Sequence, residues 1–294
     1  MNSKKLYTKK PKRLFTFGCS FTNYMWTTWA DILGYELDCE YYNYGQSGAG
    51  NQYIFNSIMQ ADCLHNFNDD DLVIVEWTSA TRNDLFKNNK WSTPGNVYNQ
   101  EDYDKNSVDV NYYSLRDFAS IKATMHFLET KTQYHFLSMV DLNTTFNQFT
   151  KSFFRTDKTF TKIKNLYSDV LDNINPSFYD VLWQNKIQNK RIKNEKVYQC
   201  HFWDLHPDPI EHLEYLQHIF DYEFSDRTVN KIIELNTYLV DTINKFAEER
   251  NLLIPNADFE ETQLTQELAF HIEDETKLDI SQKIDYSKLV LQDR

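Results

Sequence analysis

Ser20, Asp204 and His206 are residues whose types and surroundings could together carry out acyl transfer. Ser20 ends the stretch Arg13-Leu14-Phe15-Thr16-Phe17-Gly18-Cys19-Ser20, where an apolar run stops at a glycine and then presents a hydroxyl. A hydroxyl at that junction lies where the N–H groups of a following helix converge. Asp204 stands two residues ahead of His206 in Asp204-Leu205-His206-Pro207, close enough for its carboxylate to orient the imidazole. The chain thus offers a nucleophile, a base and an orienter. Two competitors exist. Cys19 could itself be reactive as a thiolate at a helix start. His212 could replace His206, although an imidazolium near a helix N-terminus is disfavoured by the dipole.

The elements that must position these residues follow from apolar patterning. Runs at Leu14–Phe17, Glu40–Tyr44, Leu72–Trp77, Tyr134–Val140 and Val197–Phe202 read as strands, and Tyr24–Leu33, Gln52–Leu64 and Leu115–Thr130 carry helical periodicity. Strand and helix in alternation predict an α/β fold, a three-layer α/β/α sandwich with a mostly parallel, five-stranded sheet. Asp208-Pro209-Ile210-Glu211 is a helix start, with Asp208 as N-cap, Pro209 at the first helical position and Glu211 completing a capping box. It leaves His206 in the loop just before that helix. Asn43-Tyr44-Gly45-Gln46-Ser47-Gly48-Ala49-Gly50-Asn51 is a polar, glycine-rich loop between a strand and a helix, suited to bringing backbone N–H groups close to an anion.

These segments, in this order and setting, resemble the SGNH (GDSL-type) hydrolase superfamily. Gly18-Cys19-Ser20 matches its first block. Asn43, Gly45 and Gly48 match the Asn-x-Gly-x-x-Gly loop, and Asp204, His206 and Pro207 match the last block. The resemblance implies a flavodoxin-like α/β domain and a serine esterase acting on small acyl esters, O-acetyl groups on carbohydrate above all. Its triad would be Ser20, His206 and Asp204. Ser20 and Gly48 would supply backbone oxyanion donors. The chain departs from the family in two places. One residue rather than two separates Asp204 from His206, as in some polysaccharide-acetylating relatives. The Gly-x-Asn expected after the third strand is missing, because Trp77 runs into Thr78-Ser79-Ala80-Thr81-Arg82-Asn83-Asp84. One lost oxyanion donor typically costs roughly 100- to 1000-fold in rate. Asn51, which closes the glycine loop, is the preferred replacement, ahead of Asn83 and Thr78. Arg82, Trp77 and Tyr24 are candidate substrate contacts, the two aromatics through stacking on sugar rings.

Domain boundaries are expected as a hydrolase-like domain over 12–222 with a helical insertion at 141–196, and a helical, acidic C-terminal extension over 223–294. The insertion would roof the site or buttress the sheet. The extension would dock on the domain or reach a protein partner. A net charge of -12 argues against nucleic acid or an anionic membrane as partner. Four cysteines without metal-ligand spacing point to neither a zinc site nor a disulfide framework, and the proposed chemistry needs no cofactor. No apolar run reaches membrane-spanning length and the N-terminus lacks a secretory h-region, so a soluble, cytoplasmic protein is expected. The scarcity of Gly and Pro beside abundant Asn, Lys, Tyr and Phe fits AT-rich coding DNA, as in phages and some bacteria, and a phage protein could belong to a virion. Other readings on the same pattern are an acyltransferase, a non-catalytic carbohydrate-binding or structural module, and a phosphate- or flavin-binding domain with Ser20, Thr22 and Asn23 as an anion loop.

Overall fold

The apolar runs fold as the strands of a parallel sheet. The computed structural model describes residues 4–95, 110–142, 158–184, 206–249 and 275–281. Its strands are β1 (Arg13–Phe17), β2 (Glu40–Asn43), β3 (Asp71–Trp77), β4 (Leu85–Lys87), β5 (Lys90–Ser92) and β6 (Gln133–Ser138). Its helices are α1 (Trp29–Leu37), α2 (Asn51–His65), α3 (Val110–Glu129), α4 (Lys158–Leu166), α5 (Ser168–Leu171), α6 (Pro209–Ile219) and α7 (Asp226–Glu249), with a π-helical turn at Asp180–Gln184. The sheet runs β2-β1-β3-β6 with every pair parallel. Every residue of β3 is buried, as a strand covered on both faces must be. This is the expected α/β fold, a parallel sheet flanked by helices. The fifth expected strand, Val197–Phe202, lies outside the described residues.

The strand order decides where a ligand can bind. From β1 the chain steps to β2 on one side, then crosses back past β1 to β3 on the other. In such sheets the crevice opens beyond the carboxyl ends of the strands at this reversal. Ser20 follows β1 and Thr78 follows β3, so both flank it.

Two compact units make up the chain: a sheet unit of Tyr7–Asn23, Cys39–Asp180 and Gln282–Arg294, and a helical unit of Met1–Leu6, Tyr24–Asp38 and Val181–Ser281. Within the sheet unit α2 packs on β1 and β3, and α3 packs on α2 and β6. Arg13 and Asp71 clasp the start of β1 to the start of β3 with two hydrogen bonds of 2.6 and 2.7 Å. In the described part of the insertion α4 and α5 pack on α3, and Asn175 donates to Phe136 O through both its backbone N–H (2.8 Å) and its side-chain amide (2.9 Å). After β3 the chain forms a hairpin, β4 against β5, turned by Asn88 and Asn89 at φ 55° and 61°. Two positive φ values fit the tight turns that suit strand twist, and Asn tolerates them.

In the helical unit α1, α6 and α7 pack against one another. Thus α6 and α7, which lie on either side of the boundary expected at residue 222, share one unit. Lys4 N–H donates to Ile219 O (3.1 Å), and Asp221 N–H donates to Lys4 O (2.8 Å). Thr27 donates to Thr276 O through its N–H (3.1 Å) and hydroxyl (2.8 Å). α1 starts at Trp29 rather than Tyr24. The Asp31 carboxylate accepts the Thr28 N–H at 3.0 Å, so capping sets the helix start later than the apolar residues Tyr24, Met25 and Trp26 suggested. Among the described residues no helix is long and apolar enough to cross a membrane.

Candidate active site at the ends of the parallel strands

Ser20 lies in a tight turn directly after β1, 6% exposed. Cys19 O accepts the N–H groups of Thr22 (3.0 Å) and Asn23 (3.2 Å), which closes the turn around the serine. Behind it sits Glu76, near the end of β3 and fully buried. Its Oε2 accepts the Thr22 hydroxyl at 2.7 Å and the Cys19 N–H at 3.4 Å. Gly18 is required by this arrangement. A Cβ there would lie 2.7 Å from Glu76 Oε2 and would collide with the Thr22 hydroxyl. Burial pushes the Glu76 carboxyl up to about 7, although the Thr22 hydroxyl, the Arg82 charge and Cys19 pull the other way. Cys19 is also fully buried, and desolvation together with Glu76 raises its thiol to about 11. It is therefore a protonated, inaccessible thiol at neutral pH.

The glycine loop is tied down at several points. Asn43 Oδ1 accepts the Gly45 N–H (2.9 Å), Gly18 O accepts the Gln46 N–H (3.1 Å), and the Thr93 hydroxyl donates to Ser47 O (2.8 Å). Gly48 adopts φ +74°, and a side chain there would strike Thr93 O. Among the described residues no protein group accepts the Gly48 N–H.

Of the side-chain donors expected to complete an oxyanion site, Asn51 is engaged elsewhere. Both amide hydrogens of Asn51 are taken, by Thr78 O and by Asp117 Oδ2, each at 2.9 Å, and its Oδ1 accepts the Thr78 N–H at 2.9 Å. The expectation that Asn51 points at the Ser20 pocket is therefore corrected, because a buried amide with every group engaged is a brace. Asn83 Oδ1 accepts from Arg116 at 3.3 Å. The Thr78 hydroxyl, fully buried, faces the Met139 sulfur at 3.8 Å. Asp117, pushed up to about 6 by burial, is held by Arg116 at 2.7 Å, which also donates to Arg82 O at 3.0 Å.

Of the candidate substrate contacts, Trp77 is wholly buried and packs edge-on against Phe136 at 5.5 Å, which makes it core. Arg82 lies at the strand ends, donating to Ala49 O at 2.7 Å with its second amine 3.5 Å from the Met139 sulfur. Asp84 accepts the N–H groups of Gly50 (2.7 Å) and Tyr53 (2.8 Å) and so occupies the N-terminus of α2. Phe21, next to Ser20, is walled by Phe178 (5.6 Å, 89°) and Tyr179 (5.8 Å, 60°).

His206 belongs to the helical unit. Its ring stacks face to face on Tyr24 with centroids 3.8 Å apart and planes 13° apart. Trp26 stands edge-on to Tyr24 at 4.6 Å and donates its indole N–H to Pro207 O at 2.8 Å, so the loop is gripped on both sides of the imidazole. Tyr24, expected to stack on a sugar, stacks on the imidazole instead. The helix start behind His206 forms as the sequence indicates, with Asp208 Oδ1 accepting the Glu211 N–H (2.8 Å) and Glu211 Oε2 accepting the Asp208 N–H (3.0 Å). His212 is buried within α6. Asp204 lies outside the described residues.

Glu76 and Met139 were not singled out from sequence as site residues, and Thr22 was read only as part of a candidate anion loop. For Glu76 a signal existed: a carboxylate in the run Leu72-Val73-Ile74-Val75-Glu76-Trp77, where burial on both faces should admit none without a local reason.

No protein-family model and no curated protein matches the chain. It is similar to solved structures. One is a member of the lipolytic protein G-D-S-L family from Veillonella parvula, with 11% identity over 70% of this chain and 96% of that one, at a TM-score of 0.38. Another is a catalytic mutant of an acetylxylan esterase from Geobacillus stearothermophilus, with 13% identity over 72% of this chain and 95% of that one, at a TM-score of 0.41. A third is an alpha/beta hydrolase enzyme from the metagenome of Lake Arreo, with 11% identity over 72% and 96% and a TM-score of 0.37. The structures this chain is similar to thus include G-D-S-L lipolytic proteins and an acetylxylan esterase, at low sequence identity.

Proposed function

We propose that this protein is a serine esterase that removes small acyl groups, O-acetyl groups on carbohydrate above all, with Ser20 as nucleophile, His206 as general base and Asp204 as its orienter. The observation that carries the reading is the place of Ser20, on a closed turn directly after β1, where strand order reverses and α/β sheets bind their ligands. In the first step Ser20 Oγ attacks the ester carbonyl and its proton passes to His206. The Ser20 and Gly48 N–H groups receive the negative charge of the tetrahedral oxygen. The carbon–alkoxy bond then breaks, the alcohol leaves with the proton from His206, and an acyl-serine remains. Water, deprotonated by His206, attacks that acyl group and regenerates Ser20.

The left-handed Gly48, which fixes a backbone donor without a protein acceptor, supports its role in this scheme. Acyl transfer to a sugar hydroxyl would use the same residues, the hydroxyl taking the place of water. The engagement of Asn51 within the scaffold favours a second reading, a module that keeps the fold and binds carbohydrate without turnover. Hydrolysis of p-nitrophenyl acetate separates the two. Turnover lost in Ser20→Ala supports the esterase, whereas a wild-type protein without turnover that still binds acetylated saccharide supports the module.

A further inference from the structure

Glu76 is a buried ionisable group that the proposed reaction does not use. Oε2 accepts from Thr22 and Cys19, the residues that bracket the turn on which Ser20 sits, and Oε1 lies 3.7 Å from the Cys19 sulfur. Gly18 lets that turn close around the carboxylate, since a Cβ would meet it at 2.7 Å. An apolar side chain in this strand would avoid the cost of burying a charge, so the carboxylate is expected to have a task.

We propose that Glu76 is the positioning residue of the nucleophile, holding the Gly18–Thr22 turn as a carboxylate anion so that Ser20 is presented for attack. This rests on the reading of Ser20 as the nucleophile. The anion is the form that fits, because both hydrogen bonds to it come from donors and Arg82 supplies the opposing charge. Among the described residues, the titratable and charged groups that face Glu76 are Cys19, from the turn after β1, and Arg82, from the loop after β3. The Cys19 thiol stays protonated throughout the working range, so Glu76 is the member of this cluster that titrates near neutrality. Protonation of Glu76 should therefore add one proton to the acid side of the activity profile.

The test measures kcat/KM for p-nitrophenyl acetate and the rate of labelling by a fluorophosphonate, in which an Oγ–P bond forms and fluoride leaves. Both are followed from about pH 5 to about pH 9 on the full chain. In Glu76→Gln both rates should fall about 10- to 100-fold at the alkaline plateau, the worth of hydrogen bonds to a charged acceptor. The slope of the acid limb should fall by one proton. A merely structural role would be rescued by the isosteric amide with the slope unchanged. Either an unaltered slope or an unaltered plateau overturns the proposal. If Glu76→Gln does not fold, by near-ultraviolet circular dichroism, Thr22→Val decides: a drop of about tenfold with the wild-type slope of the acid limb retained supports the proposal, and a full rate overturns it. Failure of the underlying reading looks different, since Ser20→Ala would then stay active or the phosphonate would be found on another residue of the wild type.

Discussion

Glu76→Gln should make the protein more stable at alkaline pH relative to acid, and the size follows from burial. The carboxyl is raised from its ordinary 4.5 to about 7 in the folded protein. Between these values the native state holds a proton that the unfolded chain has released. Stability therefore falls as pH rises from about 4.5 to about 7, and the full penalty persists above. A shift of about 2.5 units at about 1.4 kcal/mol each gives a penalty of about 3 kcal/mol at pH 8. The amide does not ionise, so it escapes that penalty. Its own cost, the burial of an NH2 group beside acceptor-poor neighbours, is the same at every pH. Urea denaturation of wild type and variant at about pH 4 and about pH 8 isolates the ionisation: the variant should gain about 3 kcal/mol relative to wild type between the two conditions. A gap that stays constant within about 0.5 kcal/mol would mean that Glu76 is neutral throughout or lies in contact with solvent, and would refute the reasoning.

Two further outcomes are expected. Asn51→Ala should lower stability by about 2 to 4 kcal/mol in urea, because it strips the Thr78 N–H of its acceptor and the Thr78 O and Asp117 Oδ2 of the Asn51 amide hydrogens; a loss of kcat with stability intact would instead restore Asn51 as an oxyanion donor. Tyr24→Ala should lower kcat/KM by up to about tenfold through loss of the stack on His206, whereas Tyr24→Phe should stay near wild type; equal losses would assign the effect to the hydroxyl.

The sheet was legible because its strands are apolar runs buried on both faces, which periodicity reports directly. Expected and observed limits of β1, β2 and β3 differ by one residue at most, and Val140 was the furthest overreach, two residues past the end of β6. Helix starts were legible where a side chain caps them, as at Asp208, and misplaced where apolar residues precede the cap, as at Tyr24. The hairpin of β4 and β5 was missed because its strands are three residues long and mostly exposed, leaving Asn88-Asn89 as its mark. The turn that carries Ser20 and the glycine loop could be found from residue types in sequence. The long-range partners could not: Glu76 meets Thr22 across 54 positions and Asn51 meets Asp117 across 66, and no local pattern encodes either meeting.

The loop after β3 shows why the asparagine sought there is not found among its first residues. Its polar groups brace the glycine loop instead: Arg82 holds Ala49 O, Asp84 holds the N–H groups of Gly50 and Tyr53, and Thr78 is tied to Asn51. Oxyanion stabilisation depends on donors that need not reorganise as charge develops. On the proposed reading, a loop braced on one side by these contacts and on the other by Thr93 gives the Gly48 N–H that fixity, with one side-chain donor fewer in exchange. The same contacts account for the buried charge on this face, since Asp84 and Asp117 are both raised by burial yet each is held by hydrogen-bond donors. Polar residues that would be costly in an ordinary core are thus gathered where the strands end, around the two backbone segments that the reaction would use.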